Sequence, residues 1–417
     1  MRLSPGTPVR ISMLNDTSAP PMLLGLLAAA NGVAQLEWST DVIQRAIRID
    51  PGIYLPEPGL LPARSRMFDG LHGFLADSLP DAWGQLVMRL RLRKLGFRLE
   101  DLNGVDRLAL LGTNGRGAMI FEPATTPATG IGSIDLDELA AQSHSILLGH
   151  EIEQIDALAT LGGGSGGARP KVHLGIAKDG SYVATDASAS DEHDAWIVKF
   201  RAATDPIDIG PVEEAYARMA RAAGICVPET KLLPAGTGPG YFATKRFDRP
   251  APGKRIHMVS LSGALEAPWQ DAGNIDYDIF LRATARFTRH AVDVEEAFRR
   301  MVFNVLTHNR DDHGRQHSYL MDEAGEWRLA PAYDLTYSSG PGGEHYLAVQ
   351  GEGRNITRDH VLGLGQIHGL SPRVMTAIID QAQTAINDWA QIAKTVSVGP
   401  SLKIIGERLA IVVRTFG

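Results

Sequence analysis

The densest run of chemically capable side chains is Asn309-Arg310-Asp311-Asp312-His313-Gly314-Arg315-Gln316-His317-Ser318, followed across a short Trp327-Arg328-Leu329 run by Tyr333 and Asp334. A loop carboxylate that accepts a hydroxyl proton, an amide oxygen a few residues on and a second carboxylate after a hairpin would serve metal-assisted phosphoryl transfer. The same cluster offers Asp311, His313 and His317 as ligands of a transition metal for hydrolysis. A solvated polar loop with capping aspartates is the third reading. So many ionisable groups directly after an apolar stretch weigh against it.

Upstream, Leu161 is followed by Gly162-Gly163-Gly164-Ser165-Gly166-Gly167-Ala168-Arg169-Pro170-Lys171. Glycines let backbone amides close around an anion without side-chain obstruction, so a phosphate is the natural guest. The tract lacks the Gly-Lys-Ser/Thr ending of a Walker loop and the spacing of a dinucleotide fold, and a plain surface loop competes with the phosphate cradle. Ala195-Trp196-Ile197-Val198-Lys199-Phe200 reads as a buried strand carrying a lysine. Either Lys199 snorkels to water from an edge strand, or it needs a counter-charge, which Glu213 on the following helix or a bound phosphate would supply.

Several elements must position these groups. Pro211 and Gly224 bracket Val212, Ala215, Tyr216, Met219, Ala220 and Ala223 at helical spacing, with Glu213 and Glu214 expected in the first turn. A second helix is expected to start at a capping box of Asp293 and Glu296, with Val294, Ala297, Phe298, Met301, Val302, Val305 and Leu306 as its apolar stripe. That stripe is core, and it delivers the chain to His308 and Asn309. Near the N-terminus, Val9–Met13 and residues 53–55 read as short β runs, and a partly exposed helix is expected from Asp81 to near Gly96. The Pro, Thr, Gly and Ala crowded between Pro123 and Ser133 read as a linker. Beyond it, short strands and the glycine tract come first and long helices last, the order of an α+β fold.

Composition bounds the function classes. The 417 residues exceed one comfortable core, and 44% hydrophobic with 21% charged residues excludes a disordered chain. With 41 Lys+Arg against 48 Asp+Glu, a formal charge of -7 argues against a surface that is one nucleic-acid footprint. The single cysteine, Cys226, leaves no Cys-based zinc site or internal disulfide and fits a reducing cytosol. The apolar stretch from Met22 to Ala34 is broken by Gly25, Asn31 and Gly32 and is short of the ~20 residues a membrane span needs. A soluble, cytoplasmic protein with no membrane contact is expected.

Taken in order, these pieces resemble the HipA-type serine/threonine kinases of bacterial type II toxin-antitoxin systems. The resemblance rests on Asn309-x-Asp311-x-His313, Tyr333-Asp334, Gly166 to Lys171, Lys199, and the Glu213 helix closing at Gly224-Ile225. It also includes Arg246-Phe247-Asp248-Arg249, His257 with Ser260-Leu261-Ser262-Gly263, and, in the N-terminal part, Leu60-Leu61-Pro62 and Leu79-Pro80-Asp81-Ala82-Trp83-Gly84. It implies an α+β, two-lobed protein-kinase-like fold. The expected parts are an N-terminal β-rich subdomain at 1–125, a kinase N-lobe at 134–255 and a mainly helical C-lobe at 256–417.

The resemblance further implies ATP and Mg²⁺. Asp311 would be the catalytic base, Asp334 and Gln316 the metal ligands, and Lys199 the ATP-phosphate contact paired with Glu213. Gly164, Ser165, Gly166 and Gly167 would cover the phosphates. Lys245 to Phe247 would form the adenine-facing hinge, with His313 also at the nucleotide. Gln316 stands where the family usually has asparagine, and its extra methylene shifts its reach toward a cation with near-octahedral demands. The serine that the family autophosphorylates aligns with Gly164, leaving Ser165 as a neighbouring substitute. The implied partners are a HipB-like helix-turn-helix antitoxin, DNA only through that antitoxin, and a protein substrate such as an aminoacyl-tRNA synthetase. A catalytically weak pseudokinase that binds the antitoxin as corepressor is the alternative.

Overall fold

The apolar stretch from Met22 turns back on itself because Asn31 and Gly32 take φ of 55° and 80°, the turn geometry an Asn-Gly pair favours between antiparallel strands. In the computed structural model, which describes residues 3, 7–125, 134–150, 155–162, 164, 166–184, 193–270 and 272–417, this stretch is a hairpin. Strands β1 (Val9–Met13), β2 (Met22–Ala30), β3 (Val33–Trp38), β4 (Leu60–Pro62) and β5 (Met119–Glu122) form an antiparallel sheet in the order β4-β3-β2-β1-β5. Residues 53–55 are not a strand. The Asp50 carboxylate accepts the amides of Gly52, Ile53 and Tyr54 there, and that local bonding replaces a ladder.

A second antiparallel sheet holds β6 (Lys171–Ala177), β7 (Tyr182–Val183), β8 (His193–Lys199), β9 (Thr230–Leu233) and β10 (Tyr241–Lys245) in the order β7-β6-β8-β10-β9. The helix Ile209–Ala222 packs on it. This helix starts earlier than its apolar pattern suggested, with Pro211 still inside the first turn, so Glu213 and Glu214 lie one turn in. Both are buried. Helices Leu136–Leu147 and Ile155–Gly162 precede the glycine tract, where the sequence order had led with strands. The expected linker falls largely on residues 126–133, outside the described residues.

The remaining sheet, β11 (His257–Ser260), β12 (Ser318–Met321) and β13 (Trp327–Leu329), sits among long helices: Tyr277–Thr288, Ala291–Leu306, Pro372–Asn387 and Ser401–Phe416. Ala291–Leu306 begins at His290 with no side-chain cap, so the expected capping box does not form. Asp293 is drawn instead to Arg328 at 2.8 and 2.9 Å, pinning β13 to the helix. The apolar stripe does its expected work, with Phe298, Met301 and Val302 fully buried. Each contributes about 1.5–3 kcal/mol of transfer free energy.

Among the described residues two large apolar cores result, beside a small cluster of Met88, Leu92, Leu99, Leu102 and Leu110. One runs without a break from the first sheet into the helical lobe. The other lies under the second sheet and takes Trp83 and Val87 from the helix Ala82–Lys94 of the N-terminal part. That helix spans its expected range, with Asp81 before it and Gly96 at φ 79° after it. Among the described residues no helix is long and apolar enough to cross a membrane.

Candidate active site

The loop after Ala291–Leu306 is fixed from behind. His308 turns the chain at φ 55°, and the Asn309 side chain donates to Asn304 Oδ1 at 2.9 Å. Asn304 in turn donates to the Tyr277 hydroxyl at 3.0 Å, which donates to Asp312 at 2.6 Å. His345 Nδ1 lies 2.7 Å from the same carboxylate, and the Tyr346 amide donates to it at 2.9 Å. Asp312 is completely buried and its oxygens are satisfied. It is a brace, and it turns its neighbour Asp311 outward.

Asp311 faces a cavity of about 500 Å³ lined also by Gly166, Gly167, Lys199, Lys245, Phe247, His313, Gln316 and Asp334. Its carboxylate is open to the cavity but walled by protein. Loss of solvent, together with the charges of Asp334 and Asp312, pushes its pKa up to about 7. His313 Nε2 stands 3.8 Å away. The other ring nitrogen accepts the Arg315 amide at 3.2 Å, and the ring leans on Trp269 at 4.6 Å. Burial holds its pKa down at about 4, so the imidazole beside Asp311 is neutral at pH 7.

The opposite wall is cationic. Lys171 of β6 and Lys199 of β8 are directly cross-strand. Lys199 bonds Glu213 at 3.0 Å and reaches across to Asp334. Arg169 bonds Glu213 at 2.9 Å and Asp205 at 3.0 Å, and Lys171 donates to the Gly166 carbonyl. Burial alone would raise the Asp334 carboxyl, but Lys199, Lys171 and Arg169 outweigh it and hold it well below the usual carboxylate range. Burial lowers the Lys199 ammonium less than Asp334 and Glu213 raise it. Asp334 itself sits at φ 56°, a left-handed conformation that Asp tolerates better than a branched residue.

The hinge side is held differently. The Arg246 amide donates to Ala195 O at 2.8 Å, and its guanidinium grips Asp248 at 3.0 and 2.7 Å. Arg249 and the Gly117 amide complete that carboxylate at 2.9 Å each. Phe247 is left to pack on Tyr333, ring centroids 5.7 Å apart, at the cavity wall.

Most of the expected site residues therefore share one cavity. Glu213 acts from behind it through Lys199. Gly164 is not among the lining residues: it packs on the Asn114 carbonyl so closely that a Cβ would fall 2.3 Å from that oxygen. A serine side chain has no room at this position. Ser165 lies outside the described residues. Sequence reasoning missed Lys171, Arg169, Asp81, Arg116 and Arg315 as lining residues. A signal existed for Arg169 and Lys171, which close the glycine tract, and for Arg315, which lies in the polar cluster; Asp81 and Arg116 come to the cavity only through the fold.

The hydrolase reading loses one of its three ligands. His317 does not line the cavity; it is buried against Phe280 with ring centroids 4.0 Å apart, and burial and Arg300 lower its pKa to about 3. Among the described residues no group of three His, Cys, Asp or Glu side chains is arranged to hold a metal ion. Asp334, Asp311 and the Gln316 amide bring oxygen donors to the cavity, the set a hard cation takes alongside phosphate oxygens, with His313 the imidazole beside them.

A family model described as the HipA-like C-terminal domain matches residues 163–390, more than half of the chain. The chain belongs to the HipA-like family. It is 34% identical over 157 residues to a Sinorhizobium fredii protein named "Putative kinase Y4dM", covering 34% of this chain and 37% of that one. It is 29% identical over 136 residues to a Haemophilus influenzae protein named "Putative kinase", covering 30% and 39%. The chain thus spans well under half the length of these curated relatives. The solved HipA of Shewanella oneidensis MR-1, in a complex with HipB and its operator DNA, superposes with a TM-score of 0.69 at 18% identity, over 98% of this chain and 96% of that one. The HipA-like fold is α+β and kinase-like, and it embraces the N-terminal sheet as well as the region of the family model.

Proposed function

We propose that the chain is an ATP- and magnesium-dependent protein serine/threonine kinase, the toxin of a type II toxin-antitoxin pair. The observation that carries this reading is that Asp311 and Asp334 face one cavity whose far wall carries Lys199, backed by Glu213 at 3.0 Å. Asp311, poised near pH 7, is suited to accept the proton of a serine or threonine hydroxyl. Lys199, Lys171 and Arg169 are suited to bind and orient the phosphates. Asp334 and the Gln316 amide would hold Mg²⁺, which when bound neutralises charge on the transferred phosphoryl group. Residues 245–247 border the cavity where a base would stack or bond, and neutral His313 holds the loop beside Asp311.

The Shewanella HipA assembles with HipB and operator DNA. By extension the partner here is a HipB-like helix-turn-helix antitoxin, and a chain of formal charge -7 is suited to leave DNA contact to it. The growth-arresting target is a cellular protein, with an aminoacyl-tRNA synthetase as one example of the class. Purified protein given labelled ATP, Mg²⁺ and lysate should transfer phosphate to protein. Asp311→Asn should abolish transfer while retaining nucleotide binding. Absence of transfer from the wild type with every divalent metal would instead favour the antitoxin-binding corepressor.

A further inference from the structure

The N-terminal part reaches the cavity through the short segment 77–84 and through Arg116, which packs against that segment. On one side it grips the catalytic loop. Arg315 Nη1 lies 3.2 Å from Asp81 and Nε lies 3.5 Å from Asp77. The guanidinium also donates to the carbonyls of Asp77 and Leu79 at 3.2 and 3.3 Å. Arg315 is tied to the other carboxylate's segment as well, since the Tyr333 hydroxyl donates to its carbonyl at 2.5 Å. Gln316 and Asp334, the residues suited to hold the cation, thus each neighbour a residue in this tie.

On the other side the same segment grips the glycine tract. The Trp83 amide donates to Gly167 O at 3.3 Å and its indole donates to Lys171 O at 3.0 Å. Arg116, which donates to Asp77 O at 2.6 Å, stands against Gly166, where a Cβ would meet its Nη1 at 3.3 Å and Asp81 Oδ2 at 3.5 Å. Asp77 is anchored in turn: it accepts the amide and hydroxyl of Ser260 at 2.7 Å each. Buried charges in such numbers are costly unless each is matched, so the segment has one favoured seat between the lobes.

We propose that residues 77–84 form an interlobe clamp and that Arg315 and Asp81 are positioning residues for phosphoryl transfer, setting the distance between the glycine tract and the catalytic loop. This rests on the kinase reading for its activity arm alone. Arg315→Met and Asp81→Asn should each lower kcat by roughly tenfold to hundredfold, the scale of a small misplacement of reacting groups, with nucleotide Kd changed far less. The double variant should be little worse than either single one, because both remove the same tie. Arg315→Lys should restore part of kcat.

Amide hydrogen exchange supplies the arm that does not need catalysis. Each variant should speed exchange in both 166–171 and 311–317, although neither residue lies in the glycine tract. Exchange rising in both segments while wild type transfers no phosphate would keep the clamp and overturn the kinase reading. Transfer by wild type, with kcat and exchange unaltered in Asp81→Asn and Arg315→Met, would overturn the clamp. So would strictly additive losses.

Discussion

Two buried clusters of arginine, lysine and carboxylate border the same cavity, and they are built on opposite plans. Around Asp248, the carboxylate is shared by Arg246, Arg249 and the Gly117 amide, and these groups face one another. Around Asp334, the cations Lys199, Lys171 and Arg169 converge on the cavity. Nearby Asp311 has its carboxylate held partly protonated near neutral pH. The first cluster ties the hinge to the segment that leads into β5; the second lines the cavity, with Lys199 and Arg169 paired to Glu213, Asp205 and Asp334. A cluster whose charges face one another braces the fold, whereas one that opens onto a cavity leaves its cations within reach of a ligand.

The sharpest way to break that contrast is Asp311→Asn. Loss of the base should cost about a hundred- to ten-thousand-fold in phosphate transfer, while the fold gains stability. In the unfolded chain this carboxyl ionises near its ordinary value, but in the folded chain it keeps its proton until about pH 7. Its penalty on folding therefore grows as pH rises from about 4 to 7 and is constant above. A melting-temperature difference between Asp311→Asn and wild type that widens over that interval is expected; a constant one would count against the raised pKa.

Asp248→Ala should do the reverse. Removing the shared carboxylate leaves buried guanidinium groups unpaired, at a cost of about 3–5 kcal/mol in urea unfolding. A loss below about 1 kcal/mol would show that the cluster is not a brace. Because its arginine neighbours outweigh burial and hold the Asp248 carboxyl far below the usual range, its stabilisation should be full above about pH 5 and be lost progressively as pH falls through about 4 and below. The two clusters thus predict opposite pH slopes in one molecule.

Lys199→Met tests the open cluster from its cationic side. Loss of one charge-assisted bond to phosphate should weaken ATP about ten- to hundredfold by calorimetry, and unchanged affinity would displace the lysine from the phosphate site. In wild type, kcat/KM should rise with pH and level off near 7 as Asp311 ionises; a flat profile between pH 5 and 8 would separate the catalytic base from this residue. The smallest effect is expected from Gln316→Asn. Shortening the amide should shift the half-saturating magnesium concentration by a few-fold and leave the melting temperature unchanged.

Much of this site was legible in the residue string. Asp311 and Asp334 stood out because carboxylates clustered after an apolar helical run, and Lys199 because an ammonium inside a strand demands a partner. Glu213 was one of the two counter-charges read for it, beside a bound phosphate, and its helix begins earlier than its apolar spacing suggested. The Asp293 capping box failed because a cross-element bond to Arg328 competes with a local cap, and only three-dimensional proximity reveals which wins. The Asn31-Gly32 turn was written in the sequence, but it was read as a break in an apolar run when it is a hairpin.

Local chemistry and periodicity are short-range properties, so the sequence by itself determined the α+β character, the ionisable groups of the candidate site and the helix that delivers the Asp311 loop. The tertiary structure decided which charges meet. It set Lys171 opposite Lys199, turned Gly164 toward Asn114, and brought Asp77 and Asp81 from a distant segment to Arg315. Coulombic pairing and burial depend on separation in space, which no spacing along the chain encodes.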